Sequence, residues 1–349
     1  VKRYLRPLGF LCGDAARQAV AAGSAVMLAG GSQAFSFLEF IERGDFGVRR
    51  RIVPVSDSDF APGSDIDLTL ARIRSGPGGS AALPEVMGII NATPDSFSEG
   101  GSILDPEQAI RRGRAMIEAG AGILDIGGES TRPGSEPVDP DEEQLRVLPV
   151  LSALRPDAAT AHVRISVDTR NAATMRVAIA AGATMINDVS ALSHDHEAMS
   201  VIARTGVEIV LMHMRGDPRT MQDAPRYDDV ALDVHDYLEA RIAACVEAGI
   251  PRSRIVADPG IGFGKTIDHN LALLSQLALF HGLGVRLLVG ASRKGFIARL
   301  SRDEPPRERL PGSLAVALAA AGQGAQILRV HDVPETIQAL RVAAALARA

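Results

Sequence analysis

The chain has 349 residues, a formal net charge of -5, 46% hydrophobic residues, no Trp and two cysteines. The mildly acidic balance excludes a basic nucleic-acid surface, and Cys12 and Cys245 are too few for a disulfide framework, which points to a reducing cytoplasm. No apolar run of membrane-spanning length and no signal peptide is read, so small molecules are the expected partners, with no nucleic acid and no membrane.

In chain order, the first eighty residues read as an extension. Residues 13–22 predict a short helix, and "AGSAVMLAGGSQAFSFLEFIERGDFGVRRRIVPVS" predicts a strand, a hairpin through Gly44-Asp45 and a second strand. Residues 1–80 are expected to cap the amino-terminal end of the long, regular segment 86–349. "RSGPGGSAALPE" at 74–85 crowds Gly, Ser and Pro together and reads as a linker.

From residue 86 to 349 short apolar strands alternate with helical periodicity. Strands are predicted at 86–91, 122–127, 163–168, 183–188, 207–213, 254–258, 286–290 and 326–330. Helices are predicted at 105–119, 141–154, 171–181, 228–248, 268–280 and 333–347. Asp105-Pro106 and Asp139-Pro140 each put a capping side chain before a proline, with Gln108 and Glu142 completing capping boxes. Strands apolar on both faces between helices predict a parallel sheet covered by helices. Eight such units in about 260 residues predict the α/β class and a (β/α)8 TIM barrel. A doubly wound open sheet would carry a Gly-rich dinucleotide turn after its first strand, where "NATPDSFSEGG" stands instead.

A barrel gathers its chemistry at the carboxyl ends of its strands. Those ends are Asn91, "GGESTRPG" (127–134), Asp168, Asn187-Asp188, His213, Asp258, "GASRKGF" (290–296) and "RVHD" (329–332). A single Asp at a strand end usually caps the next helix, and a single Asn usually fills a turn. Eight polar ends on one rim ask for more. Asn91, Arg132, Arg329 and His331 suit an anionic phosphate, through two guanidiniums, an imidazole donor and an amide oxygen for a metal. Asp168, Asn187, Asp258 and Lys294 suit a flat heterocycle with ring N–H and carbonyl edges. The residues alone therefore predict a pocket for a heterocycle bearing a phosphate ester, divided into an anion half and a heterocycle half.

Two patterns are set aside. "PGIGFGKT" at 259–266 nearly spells a phosphate loop, but Pro259 replaces its first glycine and no helix opens directly after it. "HDHE" at 194–197 reads as a helix start, and His213 as a hydrogen-bonded rim or core residue.

"MGIINATPDSFSEGG", "DIGGESTRPGS", "SVDT", "INDV", "LMHMRGDPRTMQ", "DPGIGFGK", "GASRKGF" and "RVHDV", in this order, resemble the motifs of the dihydropteroate synthase family over residues 86–349. The resemblance implies a (β/α)8 barrel, usually dimeric, in folate biosynthesis. It implies condensation of 6-hydroxymethyl-7,8-dihydropterin diphosphate with 4-aminobenzoate to 7,8-dihydropteroate and diphosphate. By the same resemblance Asn91 would hold Mg²⁺, and Thr131, Arg132, Arg329 and His331 would take the diphosphate. Asp168, Asn187, Met212, Asp258 and Lys294 would take the pterin. Pro94, Phe97, Thr131, Pro133, Phe263 and Lys294 would border the aminobenzoate, with 92–101 and 128–137 as mobile loops. Asp168, Lys294 and Arg132 form the expected catalytic set. Ile261 and Gly295 depart from the family's usual aromatic and serine and bear on aminobenzoate and sulfonamide contacts.

No Ser, Cys or Lys is paired with an evident base, so no covalent intermediate is expected. A dissociative substitution is favoured, with diphosphate leaving first and Asp168 stabilising the cation-like methylene. Three other readings are weighed. A pterin-dependent methyltransferase would leave "STRPG" and "RVH" without a task. A non-catalytic paralogue would be expected to lack Arg132, Asn91 or Lys294. A fused pyrophosphokinase would need a longer front segment.

Overall fold

The computed structural model describes residues 1–57, 63–76, 83–93, 106–130, 135–155, 160–216, 221 and 224–347. The extension runs β1 (Lys2–Leu11), α1 (Gly13–Ala21), β2 (Val26–Met27), β3 (Ala34–Gly44), β4 (Gly47–Pro54) and α2 (Asp65–Ser75). The remainder runs β5 (Glu85–Asn91), α3 (Pro106–Ala119), β6 (Ile123–Gly127), α4 (Pro140–Leu154), β7 (Arg164–Asp168), α5 (Ala172–Ala180), β8 (Met185–Asp188) and α6 (Ala198–Ala203). It continues with β9 (Glu208–Met212), α7 (Val230–Glu247), β10 (Ile255–Asp258), α8 (Ile267–Ser275), β11 (Arg286–Val289), α9 (Gly295–Arg299), α10 (Leu310–Gly322), β12 (Ile327–Val330) and α11 (Val333–Leu346).

The strands β5 to β12 close into an all-parallel barrel of eight, as predicted, each near its expected bounds. Alternate residues of each strand point inward, and neighbouring strands supply alternate layers. At the amino-terminal mouth, Arg164 pairs with Glu85 at 2.5 Å and with Glu208, and Arg286 pairs with Glu208. All four residues open odd-numbered strands, so the mouth is closed by a ring of opposite charges. Above it Met87, Ile123, Met185, Val210, Val256, Leu288 and Ile327 form a separate buried cluster. That plug makes the barrel solid below the site.

Several helices depart from their signals, and α2 and α9 were not predicted. Asp139 caps α4, accepting from the Asp141 N–H at 2.9 Å, but Glu142 turns to Arg146 at 2.9 Å instead of completing the predicted box. Asp105 lies outside the described residues. The helix predicted over 268–280 stops at Ser275 and tightens into a buried 3-10 segment, Leu277–Leu283. The alanine-rich α10 was unpredicted, because "SLAVALAAAG" is too uniformly apolar to show a helical period.

The extension is a four-stranded antiparallel sheet with α1 and α2 beside it. β3 pairs with β1 along one side and with β4 on the other. The hairpin turns at Asp45-Phe46, since Gly44 pairs with Gly47. Leu5, Leu28, Phe35, Leu38, Phe40 and Ile73 give the extension its own small core, while Tyr4 and Ile41 join the core of the barrel. Polar contacts run along α7: Tyr4 to Asp236 at 2.9 Å, Arg43 to Asp233 at 2.6 Å, Arg50 to Asp229 at 2.6 Å. The extension thus packs on α7 and the 277–283 segment, and Gln33 donates to the Ala321 carbonyl near the end of α10. Among the described residues no helix is long and apolar enough to cross a membrane.

Candidate active site

Strand periodicity places a polar layer directly above the apolar plug. Asp125, Asn187, Asp258 and Arg329 lie two residues beyond Ile123, Met185, Val256 and Ile327, on β6, β8, β10 and β12. Asp168 and Met212 end the odd strands β7 and β9, beside Asn187 and Asp258 respectively in the strand register. The heterocycle residues predicted from sequence therefore do converge.

Arg329 ties this layer together. Its Nε donates to Asp125 Oδ2 at 2.6 Å and its Nη2 to Asp168 Oδ2 at 2.7 Å. Asn187 Nδ2 donates to the same Asp125 oxygen at 2.9 Å. Burial alone would weaken the hold of Arg329 on its proton, and the two carboxylates more than reverse that. Burial pushes Asp168 up to about 8, against the pull of Arg329 and with added repulsion from Asp125, Glu143 and Asp188. Arg329, assigned to the anion half, is thus paired with two carboxylates, one of them Asp168 of the heterocycle half.

Asp258 accepts the Gly260 N–H at 2.7 Å on one oxygen. Gly260 has φ +68°, and a Cβ there would come within 1.9 Å of the His213 carbonyl oxygen. Only glycine lets this loop cross the end of β9. Burial raises the proton affinity of Asp258, opposed chiefly by Lys294.

Lys294 donates to the Ile261 carbonyl, and its ammonium sits 4.3 Å from the centre of the Phe263 ring. Burial pulls it down to about 8, with Asp258 opposing. Its direction is set by Arg293, which holds a left-handed φ of +59° uncommon outside glycine. Three contacts support that conformation. The Arg293 N–H reaches Ser313 at 2.9 Å, its carbonyl takes Arg309 at 2.9 Å, and its side chain forks onto Asp332, with Nε at 2.9 Å.

Sequence reasoning missed Lys265 as well as Asp125. The fully buried Lys265 ammonium lies 3.0 Å from His213 Nδ1, 3.3 Å from the His213 carbonyl and 2.9 Å from the Phe263 carbonyl. Burial draws its proton affinity well below the ordinary lysine value, yet three acceptors use all three hydrogens of an ammonium. His213 accepts on Nδ1, and burial followed by the Lys265 charge depresses it to about 2, so it is neutral. This confirms a hydrogen-bonded core role for His213.

At the remaining rim, Asn91 ends β5 opposite Gly127, and His331 lies beside Ser292, with N and Nδ1 at 3.2 and 3.1 Å from its Oγ. Glu129 and Arg170 join at 2.8 and 3.3 Å, linking the start of the 128–137 loop to the residues after Asp168. Pro94, Phe97, Thr131, Arg132 and Pro133 lie outside the described residues.

Comparison with known proteins shows the family. Residues 87–331 match the family model described as pterin binding enzyme. The dihydropteroate synthase of Escherichia coli (strain K12) is 47% identical over 283 residues, covering 81% of this chain and 94% of the relative. The chain belongs to the dihydropteroate synthase family. Among solved structures of that family, the Xanthomonas albilineans enzyme with 4-aminobenzoic acid is 48% identical with a TM-score of 0.70, covering 76% of this chain and 93% of that one. The Yersinia pestis enzyme in a sulfonamide drug complex is 46% identical with a TM-score of 0.72, covering 76% of this chain and 95% of that one.

Proposed function

We propose that the protein condenses 6-hydroxymethyl-7,8-dihydropterin diphosphate with 4-aminobenzoate to give 7,8-dihydropteroate and diphosphate. The observation that carries this reading is the buried layer of Asp125, Asn187, Asp258 and Arg329, overlaid by Asp168 and Lys294. Asn187 and the second oxygen of Asp258 present complementary donors and acceptors to an amino-pyrimidine edge. Lys294, beside Asp258 and Phe263, supplies a cation to a ring carbonyl or nitrogen and borders the slot for the second substrate.

The substitution is dissociative in this account. Leaving of the diphosphate makes the methylene electron-poor, and Asp168, at the carboxyl end of β7, is the proposed partner of that cation. Arg329, donating to Asp168 Oδ2 at 2.7 Å, opposes the burial that raises the proton affinity of Asp168. The aniline nitrogen then attacks the methylene carbon, forming the C–N bond in place of the broken C–O bond, and its proton passes to the released diphosphate. Asn91, Thr131, Arg132, Arg329 and His331 are the proposed holders of the leaving diphosphate, and Pro94, Phe97, Thr131, Pro133, Phe263 and Lys294 the proposed border of the aminobenzoate.

The donor set fits Mg²⁺. Asn91 offers a hard amide oxygen, and Mg²⁺ is commonly held by few protein ligands plus substrate phosphates. When bound it would neutralise charge on the diphosphate. The group His235, Asp236 and Glu239 on α7 is engaged elsewhere, with Lys2 at 2.7 and 2.6 Å from the two carboxylates. A homodimer, a cytoplasmic location and sulfonamide inhibition complete the proposal. The free cysteines Cys12 and Cys245 support the location, and the drug complex of the Yersinia pestis relative supports the inhibition. The test is turnover with and without 4-aminobenzoate and Mg²⁺, in which product forms only when both are present.

A further inference from the structure

Asp125 is fully buried in the middle of β6, on the same face as Ile123 and Gly127. It has no exposure to solvent. Its Oδ2 nevertheless takes two N–H groups, from Arg329 Nε at 2.6 Å and Asn187 Nδ2 at 2.9 Å. Its Oδ1 has no hydrogen-bond partner among the described residues. A buried carboxylate is commonly less stabilising than an apolar residue of similar size, so its place in an otherwise apolar strand asks for a reason.

We propose that Asp125 is the positioning residue of the pterin end of the site: one of its oxygens fixes the amide sense of Asn187 and the direction of the Arg329 guanidinium. An ionised carboxylate only accepts hydrogen bonds, so the NH2 end of Asn187 must face it. The Asn187 carbonyl and its second N–H are then the groups left for the ring. Without Asp125 the amide is free to turn over, and the two orientations present opposite patterns to a pterin edge. Arg329 is held at the same oxygen, which keeps its Nη2 on Asp168 at 2.7 Å. Asp125 thereby sets two partners of the ring without touching it.

The inference rests on the proposed pterin site, and one experiment separates the two. Titration calorimetry with 6-hydroxymethyl-7,8-dihydropterin, which lacks the diphosphate, is run on wild type, Asp125→Ala, Asn187→Ala and the double variant. Each single change is expected to weaken binding about tenfold, and the double change no more than either alone, as for two residues acting as one unit. Asp125→Asn keeps an oxygen able to accept both N–H groups and is expected to return affinity to within about threefold of wild type. Asp125→Ser, which keeps a polar atom in the cavity but is too short to reach Asn187, replaces the alanine variant in the cycle if that one does not fold. Multiplying losses in the double variant, or wild-type affinity in folded Asp125→Ala or Asp125→Ser, overturn the role of Asp125 alone. A wild-type protein that binds no pterin overturns the site itself.

Discussion

Arg329 and Asp168, 161 residues apart in sequence, meet at 2.7 Å across the mouth of the barrel. Removing the guanidinium leaves two buried carboxylates facing each other. Breaking such a pair from one side typically costs about 3–5 kcal/mol, so Arg329→Ala is expected to melt well below wild type. It is also expected to weaken binding of bare pterin, because Asp168 and Asp125 repack. Asn91→Ala, at the rim, is expected to weaken only the diphosphate-bearing ligand. Calorimetry with both ligands checks this, and unchanged bare-pterin affinity in Arg329→Ala would contradict it.

Asp258→Asn is expected to weaken pterin binding by about 1–3 kcal/mol, the usual cost of an unsatisfied buried group. The Gly260 N–H at 2.7 Å claims the amide oxygen, which turns the NH2 toward ring donors. A pterin dissociation constant equal to wild type would remove Asp258 from the site.

His213 carries a prediction about acid. Its folded pKa is depressed to about 2 by burial and by Lys265, while the unfolded value is about 6.5. The unfolded chain therefore binds the extra proton first, and stability present above pH 6.5 declines as pH falls. Between pH 7 and pH 5 the loss is roughly 2 kcal/mol. His213→Gln removes this titration, so its melting temperature is expected to fall less than that of wild type over the same interval. Parallel pH dependence of the two melts would refute the assignment.

Much of this was legible in the sequence, for definite reasons. A parallel barrel writes its strands as short apolar runs and its chemistry at their ends, so Asp168, Asn187, Asp258 and Arg329 could be picked out one by one. Asp125 escaped because it sits inside "GILDIG" and not at its end, although a lone carboxylate in a strand apolar on both faces was a usable signal. Lys265 escaped because "GFGKT" was judged only as a phosphate loop. Pairings such as Arg293 with Asp332, or Arg329 with Asp125, depend on strand register around a closed barrel, which no local pattern carries. β1 was missed because its apolar residues do not alternate strictly with polar ones along Lys2–Leu11.

The extension is expected to contribute stability more than chemistry. Tyr4 and Ile41 are buried in the barrel core, and Arg43 and Arg50 pair with acidic residues of α7. Deletion of residues 1–80 is expected to lower the melting temperature and solubility while leaving kcat of the folded fraction within about threefold, since the polar layer is built from β6 to β12. A well-folded truncation that has lost turnover by orders of magnitude would show that the extension serves the reaction.

The most direct measurement is the rate of dihydropteroate formation from pterin diphosphate and 4-aminobenzoate in the presence of Mg²⁺. Wild type is expected to turn over, and folded Asp168→Ala to lose about a hundredfold in kcat, the scale of removing one electrostatic contact to the reacting centre. Wild-type protein that binds pterin and 4-aminobenzoate yet yields no dihydropteroate, or Asp168→Ala at the wild-type rate, would contradict the account.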